Sequence, residues 1–479
     1  MPETFYDIHC HTMTFDHPNL IAFAYRACRA LDQGAGESHN IFIQLRDSFR
    51  MLGELYDIKT HFKEYLEKLL YSGQQAGTDG GVLGSAKKVV NLIAFMEADI
   101  AGQLLYMERD LKEVAFSRQG CRETPVLTIG DHTYSQFVLT PLLIDFGDKG
   151  RACFNTHYSG INIKPIKTQT IAMLLGIRDY YRLTQWNLTN SHADQPATTT
   201  PLLRVYPFLG INPANYKDVD EINTVLNKYF PHGANTAQEI TAAIQRFDGN
   251  LDQTTLPVFA GIKLYPPNGF DPWPKDNTDH KLDKTRCIYE FCCKHDIPIT
   301  VHGSDGGFQT VDDDKVAILA SAGKWEQVLN EFTTLRLNIA HFGHHQPAGQ
   351  AESYDWMTTI CKLIGEHPHV YTDFSFRGIE DCFRALHCAQ QQDPSINLDA
   401  VKKKLLYGSD FMINLLQQQS YTEYTDNFIT CQLPAVSAED KHHMCSTLPE
   451  QFLWPVVKDG AFPALQSEET GAQALATQP

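Results

Sequence analysis

Two histidines near the start of the chain have the type and spacing to do metal chemistry. Side chains alternate between the two faces of a β-strand, so His9 and His11 would share one face, with Ile8 and Cys10 on the other. Neutral imidazole is a common ligand of zinc and related ions, so the two histidines could share one ion. Because a catalytic metal site needs at least three protein ligands, the rest of the chain must supply partners.

Polar residues also end four apolar segments in the second half of the chain. These residues are His302, His341, Asp373 and Asp410, and the segments follow one another at steps of about 30 to 40 residues. Such steps suit a repeated unit of one strand, one helix and two loops. In a parallel β/α barrel the carboxyl ends of the strands meet on one face, where catalytic groups collect. We therefore expect the four side chains to lie on that face.

Apolar, β-branched segments predict the strands that must position these residues. Helical periodicity fills most of the gaps between them, which indicates the α/β class and a (β/α)8 TIM-type barrel. The predicted strands are residues 4–11, 137–145, 203–210, 258–265, 297–302, 335–341, 369–375 and 404–410. The predicted helices are residues 164–183, 284–295, 313–321, 325–332, 355–366 and 379–391.

The connection between the first two strands is far too long for a simple barrel. Apolar residues recur at helical spacing over 41–55 and again over 89–111. We predict a helical insertion at residues 20–120 that emerges on the active-site face and caps it. The barrel domain would span residues 1–455. Residues 456–479 contain few large apolar side chains and are predicted to form a loosely ordered tail.

Composition restricts the class of partner. The chain has 479 residues, of which 43% are hydrophobic and 20% charged, as in ordinary globular proteins. A net charge of −17 disfavours nucleic acid or an anionic membrane as a partner and favours a small-molecule substrate. A homo-oligomer is possible.

The sequence shows no signal peptide and no apolar run of membrane-spanning length, so a cytoplasmic location is expected. The 12 cysteines form no Cys-x-x-Cys pair, which disfavours a zinc ribbon.

Short motifs along the chain, taken together and in order, resemble the amidohydrolase superfamily. The branch they resemble most is that of the amidohydrolase-related metal-dependent hydrolases, which also contains nonoxidative decarboxylases such as aminocarboxymuconate-semialdehyde decarboxylase. The resemblance covers residues 4–11 and about 200–455. The motifs are Asp7-x-His9-x-His11, Gly261–Leu264, Pro298–Gly303, Asn338–Gly343, Tyr407–Phe411 and a closing Leu448–Leu453 segment.

The resemblance implies a metal site on the active-site face. By position, His9, His11, His302 and Asp410 would bind a divalent ion, and one ion is favoured over two. Zinc is favoured, while Mn, Fe or Co would also suit such ligands. Asp410 and His341 would be the catalytic residues. Asp410 would accept the proton of the attacking water, and His341 would hydrogen-bond the substrate or the water.

Four further residues receive roles by the same resemblance and by their position. Lys263 would face the barrel interior, where an unpaired ammonium is costly. It would either bridge two metals as a carbamylated lysine or bind substrate. Arg377 would hold a substrate carboxylate, with an ion pair as the alternative. Asp373 and Asp7 would orient histidine ligands by accepting their second ring N–H.

The activity implied is that of a metal-dependent hydrolase. A metal-activated water would attack an amide, lactone or ester bond of a small molecule. Two alternatives stay open at this point. One is a metal-dependent nonoxidative decarboxylase or hydratase acting on a small carboxylic acid, and the other is a non-catalytic metal-binding barrel. Neither the motifs nor the composition specifies the substrate.

Overall fold

The computed structural model covers most of the predicted barrel. Most of the predicted insertion, 20–120, and the whole predicted tail, 456–479, lie outside the described residues, so both stay predictions. The residues described are 3–14, 91–92, 94–119, 127–146, 166–190, 201–275, 277–308, 311, 313–346, 351–418 and 420–454.

Two sheets of mostly parallel strands form the centre of the fold. The strands are β1 (Glu3–Cys10), β2 (Leu127–Ile129), β3 (His132–Pro141), β4 (Leu203–Val205), β5 (Phe208–Gly210), β6 (Gly261–Leu264), β7 (Ile299–Val301), β8 (Leu337–Ile339), β9 (Val370–Asp373) and β10 (Leu405–Leu406). The first sheet has the order β1–β3–β2, with β4 also paired to β3, and the second runs β10–β9–β8–β7–β6–β5. Among these strands only β2 runs antiparallel to its neighbour.

Backbone hydrogen bonds join the two sheets at both ends. On one side the N–H of Ile8 donates to the carbonyl of Tyr407 at 3.2 Å, and on the other the N–H of Leu143 donates to the carbonyl of Phe208 at 3.2 Å. The predicted strand 203–210 occurs as β4 and β5, because Pro207, which lacks an N–H, separates them. The TIM-type α/β class is confirmed. Among the described residues the strands form two sheets, and the strand pairing does not continue around the barrel as one closed sheet.

Helices surround the strands and contribute apolar faces to the core. The helices of eight or more residues are α1 (Ile100–Gln119), α2 (Ile166–Asn190), α3 (Val219–Tyr229), α4 (Ala237–Arg246), α5 (Lys281–His295), α6 (Lys324–Glu331), α7 (Asp355–Glu366), α8 (Ile379–Gln392) and α9 (Tyr421–Thr430). Strands β6 to β10 are buried along their whole length, as expected for parallel strands covered by helices. None of the helices in the described part of the chain is both long and apolar enough to cross a bilayer.

Candidate metal centre

The carboxyl ends of the parallel strands β1, β9 and β10 bring four of the predicted site residues to one place. His9 lies near the end of β1, and His11 follows that strand directly. Asp373 ends β9 and Asp410 lies just beyond β10. All four side chains are buried, so their charges and lone pairs must be satisfied by one another or by a bound group.

His9, His11 and Asp410 form what we call the strand-end cluster. One carboxylate oxygen of Asp410, Oδ1, lies 3.5 Å from Nε2 of His9 and 3.3 Å from Nε2 of His11. One potential ligand atom from each residue lies within 4.8 Å of the others. Within the described chain, His9 Nε2 and Asp410 Oδ1 are buried without a hydrogen-bond partner. These two potential metal-ligand atoms are buried, lie close together and lack hydrogen-bond partners, which fits a divalent ion bound between them.

The second ring nitrogen of each histidine is held by a group that aims the first at the cluster. Nδ1 of His11 donates to the carbonyl oxygen of Leu142 at 2.9 Å, which leaves Nε2 with its lone pair. Nδ1 of His9 lies 3.1 Å from Oδ2 of Asp373. Burial lowers the pKa of His9 to about 3 even though the charge of Asp373 opposes the shift, so His9 is neutral at pH 7. Neutral imidazole is the form that binds metal.

Asp373 accepts hydrogen bonds from four residues and thereby holds the cluster. Its Oδ2 accepts from His9 Nδ1 and from Asn338 Nδ2 at 2.7 Å. Its Oδ1 accepts from the backbone N–H of His341 at 3.0 Å, from the backbone N–H of Ser375 at 3.1 Å and from the Ser375 hydroxyl. Burial alone would raise the pKa of Asp373, but His9, His341 and Ser375 hold it well below its usual range. The carboxylate therefore stays ionised and fixes the His9 ring.

Asp7 contacts different groups from those predicted. It was expected to orient a histidine ring, yet its carboxylate accepts from the Ser409 hydroxyl, from the Ser409 N–H at 2.9 Å and from the His9 backbone N–H at 3.3 Å. Asp7 lies one layer deeper than His9 on the same strand face, where Ser409, just beyond the last strand, contacts it. It joins the first strand to the last one. Burial raises its pKa to about 7.

His341 and His302 form a pair beside the cluster. His341 Nε2 lies 3.1 Å from His302 Nδ1, and His302 Nε2 lies 3.1 Å from the carbonyl oxygen of Gly306. The ring centroids of His341 and His9 are 4.8 Å apart, so the pair borders the cluster. Burial lowers the pKa of both residues, which keeps both rings neutral. The role of His302 as a ligand stays a prediction, since it requires His302 to exchange one of these contacts for the ion.

Lys263 is buried in the same interior without a hydrogen-bond partner among the described residues. Burial lowers its pKa to about 8, although the charges of Asp373 and Asp410 oppose the shift. The side chain is therefore mostly charged at pH 7 and lacks the partners that a buried ammonium needs. Carbamylation or a bound anionic group would supply such partners.

Replacing Lys263 with methionine should stabilise the metal-free protein. Because the folded pKa is lowered from 10.5 to about 8, the unfolded chain binds more protons between these values, and stability rises with pH across that window. The destabilisation caused by the buried Lys263 ammonium is fully present below pH 8. The variant should therefore gain about 1–3 kcal/mol in the free energy of unfolding at pH 7. Urea unfolding at pH 7 and pH 10 measures this, with the exposed Lys281→Met as control. A gain of equal size at both pH values would refute the explanation.

Arg377 is already paired within the chain. Its Nη1 lies 2.5 Å from Oε1 of Glu352, and both side chains are mostly buried. This is the ion pair that the sequence left as the alternative to substrate binding. A role in holding a substrate carboxylate stays a prediction, because the substrate would have to compete with Glu352.

Two residues that position the site were missed from the sequence. Asn338 on β8 donates to Asp373, and the hydroxyl of Ser375 lies 3.1 Å from His9 Nδ1 and 2.9 Å from His341 Nδ1. The sequence pattern around each of the two residues could have indicated its role. Asn338 is a polar residue between two apolar ones in a strand that is otherwise buried, and Ser375 follows Asp373 by two residues on the same face.

Comparison with known proteins identifies the family. Residues 231–453 match the amidohydrolase family model. The match covers 223 of the 479 residues, a little under half of the chain, and supports the predicted amidohydrolase superfamily. The matched region includes Lys263, His302 and His341 as well as both aspartates of the site, whereas His9 and His11 precede it. The match also supports the expectation that the chain is an enzyme of this superfamily. The branch predicted from the motifs stays a prediction, and no curated protein matches the chain.

Solved structures also show distant likeness. A probable 2-pyrone-4,6-dicarboxylic acid hydrolase from Acinetobacter baumannii is 12% identical over 67% of this chain and 84% of its own, with a TM-score of 0.34. A candidate metal-dependent hydrolase from Lactobacillus casei is 12% identical over 94% of this chain and 95% of its own, with a TM-score of 0.29. Dihydroorotase from Campylobacter jejuni is 14% identical over 47% of this chain and 73% of its own, with a TM-score of 0.25. Scores this low support no argument about this chain.

Proposed function

We propose that this amidohydrolase hydrolyses an amide, lactone or ester bond of a small molecule with a divalent metal ion held by His9, His11 and Asp410. The observation that carries the proposal is the pair of orphaned buried atoms, His9 Nε2 and Asp410 Oδ1, inside a cluster of three ligand side chains. A bound divalent ion supplies a Lewis acid that polarises a carbonyl and lowers the pKa of water. Zinc suits the two imidazoles and one carboxylate, and Mn, Fe or Co are the other candidates.

Asp410 is the group that accepts a proton in this proposal. Burial would raise its pKa, but the neighbouring rings of His11, His341 and His9 lower it below the usual value. The carboxylate is therefore ionised at neutral pH and can take a proton from water and return it to a leaving nitrogen or oxygen. His341 stays neutral and borders the cluster, where it can hydrogen-bond the carbonyl under attack.

Lys263 restricts the substrate class. Its ammonium has no hydrogen-bond partner within the described chain, and it lies near enough to Asp373 and Asp410 for their charges to raise its pKa. A substrate carboxylate or developing oxyanion placed beside it would satisfy that charge. We therefore propose a small substrate that carries an anionic group close to the scissile bond.

The proposal is tested by assaying the metal-depleted and metal-restored enzyme on matched substrate panels. We expect hydrolysis of at least one anionic lactone, amide or ester, loss of that activity after chelation, and its return with zinc or another divalent metal. His11→Gln should not recover, whereas His280→Gln, which changes a mostly exposed histidine paired with Asp283, should recover fully. Hydrolysis that survives complete chelation would refute the proposal. Release of CO2 from carboxylic acids without hydrolysis would replace it with the lyase alternative.

A further inference from the structure

A second group of histidine and carboxylate side chains lies at the opposite end of the barrel strands. Glu3 begins β1 and His132 begins β3, whereas the candidate metal centre lies at the carboxyl ends. His442 ends a short helix, Ala438–His442, which packs against β2, the neighbour of β3. We call Glu3, His132 and His442 the Glu3 cluster. None of its residues belongs to the site described above.

Three ligand atoms of different residues converge in the Glu3 cluster. Nδ1 of His132 lies 3.1 Å from both carboxylate oxygens of Glu3, and Nδ1 of His442 lies 3.6 Å from Glu3 Oε2. One potential ligand atom from each residue lies within 4.8 Å of the other two. The side chains of Glu3 and His132 are 36% and 23% exposed, whereas His442 is mostly buried at 11%, so an ion could enter from the side of Glu3 and His132.

The other nitrogen of each ring is held by a group outside the cluster. His132 Nε2 lies 2.9 Å from Oε2 of Glu439, and His442 Nε2 lies 3.3 Å from Oγ1 of Thr447. A carboxylate on the far nitrogen of a histidine is typical of metal ligands, because it fixes the tautomer and makes the near nitrogen a stronger donor. The hydrogen bonds to Glu439 and to Glu3 raise the pKa of His132. A metal ion would therefore replace the proton between His132 Nδ1 and the Glu3 carboxylate.

We propose that the Glu3 cluster binds a divalent transition-metal ion of the zinc, nickel or copper class. Two imidazole nitrogens and one carboxylate oxygen suit these ions, whereas Mg²⁺ and Ca²⁺ prefer oxygen ligands alone. The ion would connect the starts of β1 and β3 to the helix that ends at His442, since 442 − 3 = 439 and 442 − 132 = 310 residues separate them in sequence. The proposal does not depend on the proposed function, since the residues and the end of the barrel differ.

Binding requires two small rearrangements. The rings of His132 and His442 are stacked, with centroids 3.7 Å apart and planes 5° from parallel, so they must tilt for both lone pairs to point at one ion. The Tyr134 hydroxyl, 2.9 Å from His442 Nδ1, must give up that hydrogen bond. Each change involves side chains only, and it costs affinity without a change of backbone.

The test is the metal content of full-length protein dialysed against zinc, compared among variants. Glu3→Gln and His132→Gln should each bind about one zinc fewer per chain than the natural sequence and lose the zinc-dependent part of the rise in Tm. His443→Gln is the matched control, because His443 contacts the same Glu439, at 3.1 Å, but is no proposed ligand. It should keep the full zinc content. Circular dichroism confirms that each variant is folded.

Spectroscopy separates this ion from one at the strand-end cluster. Cobalt or copper bound to the Glu3 cluster should give a spectrum that persists in His11→Gln and disappears in His132→Gln. If folded Glu3→Gln and His132→Gln keep the same zinc content and the same spectrum as the natural sequence, the Glu3 cluster is only a set of hydrogen bonds. Activity is not part of this comparison, so failure of the proposed function would leave it unaffected.

Discussion

Asp410→Asn is expected to lower kcat/KM by roughly 10²–10⁴, the range for loss of a general acid–base group. The change keeps the shape of the side chain but removes its charge and half of its acceptor capacity. An amide placed 3.3–3.5 Å from His9 Nε2 and His11 Nε2 can neither take a proton from water nor act as an anionic ligand. Steady-state kinetics on the substrate identified by the panels measures the loss, and metal analysis of the same sample shows whether the ion is also lost.

The matched control for Asp410 is Asp399→Asn. Asp399 is mostly exposed and pairs with Lys402 on the surface, so its replacement should leave kcat/KM within about twofold. Asp410→Asn activity within threefold of the natural enzyme, in a folded and metal-loaded sample, would exclude Asp410 as the base. The proton would then have to be accepted by another group, and neutral His341, which borders the cluster, is the alternative.

Asp373→Asn should reduce the free energy of unfolding by about 3–5 kcal/mol, the cost of removing one partner from a buried charged network. Every group that the two carboxylate oxygens contact is a donor or can serve as one: the side chains of Asn338 and His9 at Oδ2, and the N–H of His341 and the Ser375 groups at Oδ1. An asparagine presents two N–H groups on one side, so at least one donor would face another donor.

Metal affinity should fall with Asp373→Asn as well, by roughly 10–100-fold, because the His9 ring loses the group that orients it. Urea unfolding gives the first quantity, and competition with a chromophoric chelator gives the second. Because the folded pKa is lowered, the stabilisation by Asp373 is present above the unfolded value of 3.8 and is lost as the pH falls toward the folded value. Asp381→Asn, in an exposed pair with Arg384, should change stability by less than about 0.5 kcal/mol. Equal effects of the two substitutions would contradict the role given to Asp373.

The strand positions and the face of the site could be predicted because they depend on local patterns. Alternation along β1 places His9 and His11 on one face, and the recurring strand-and-helix spacing places Asp373 and Asp410 at the same ends. These features require only backbone geometry, which short-range sequence patterns largely determine. The family resemblance added the ligand set, and the family match over residues 231–453 supports it.

The contacts among the side chains could not be predicted in the same way. Asp7 contacts Ser409 and the His9 backbone rather than an imidazole ring, and His302 pairs with His341. Which partner each group takes depends on side-chain rotamers and on the stagger between the first and last strands. Neither has a short-range signature. The lack of a partner at Lys263 is likewise a property of the assembled interior.

We expect the ion to lie between Nε2 of His9, Nε2 of His11 and the carboxylate of Asp410. The most direct measurement is anomalous scattering, recorded at the zinc absorption edge, from crystals of the zinc-loaded enzyme. We predict a peak at about 2.0–2.2 Å from these three atoms. The structure would also show whether His302 joins them and whether Lys263 carries a carboxylate. A fully loaded crystal with no peak at the carboxyl ends of β1 and β10 would contradict the claim.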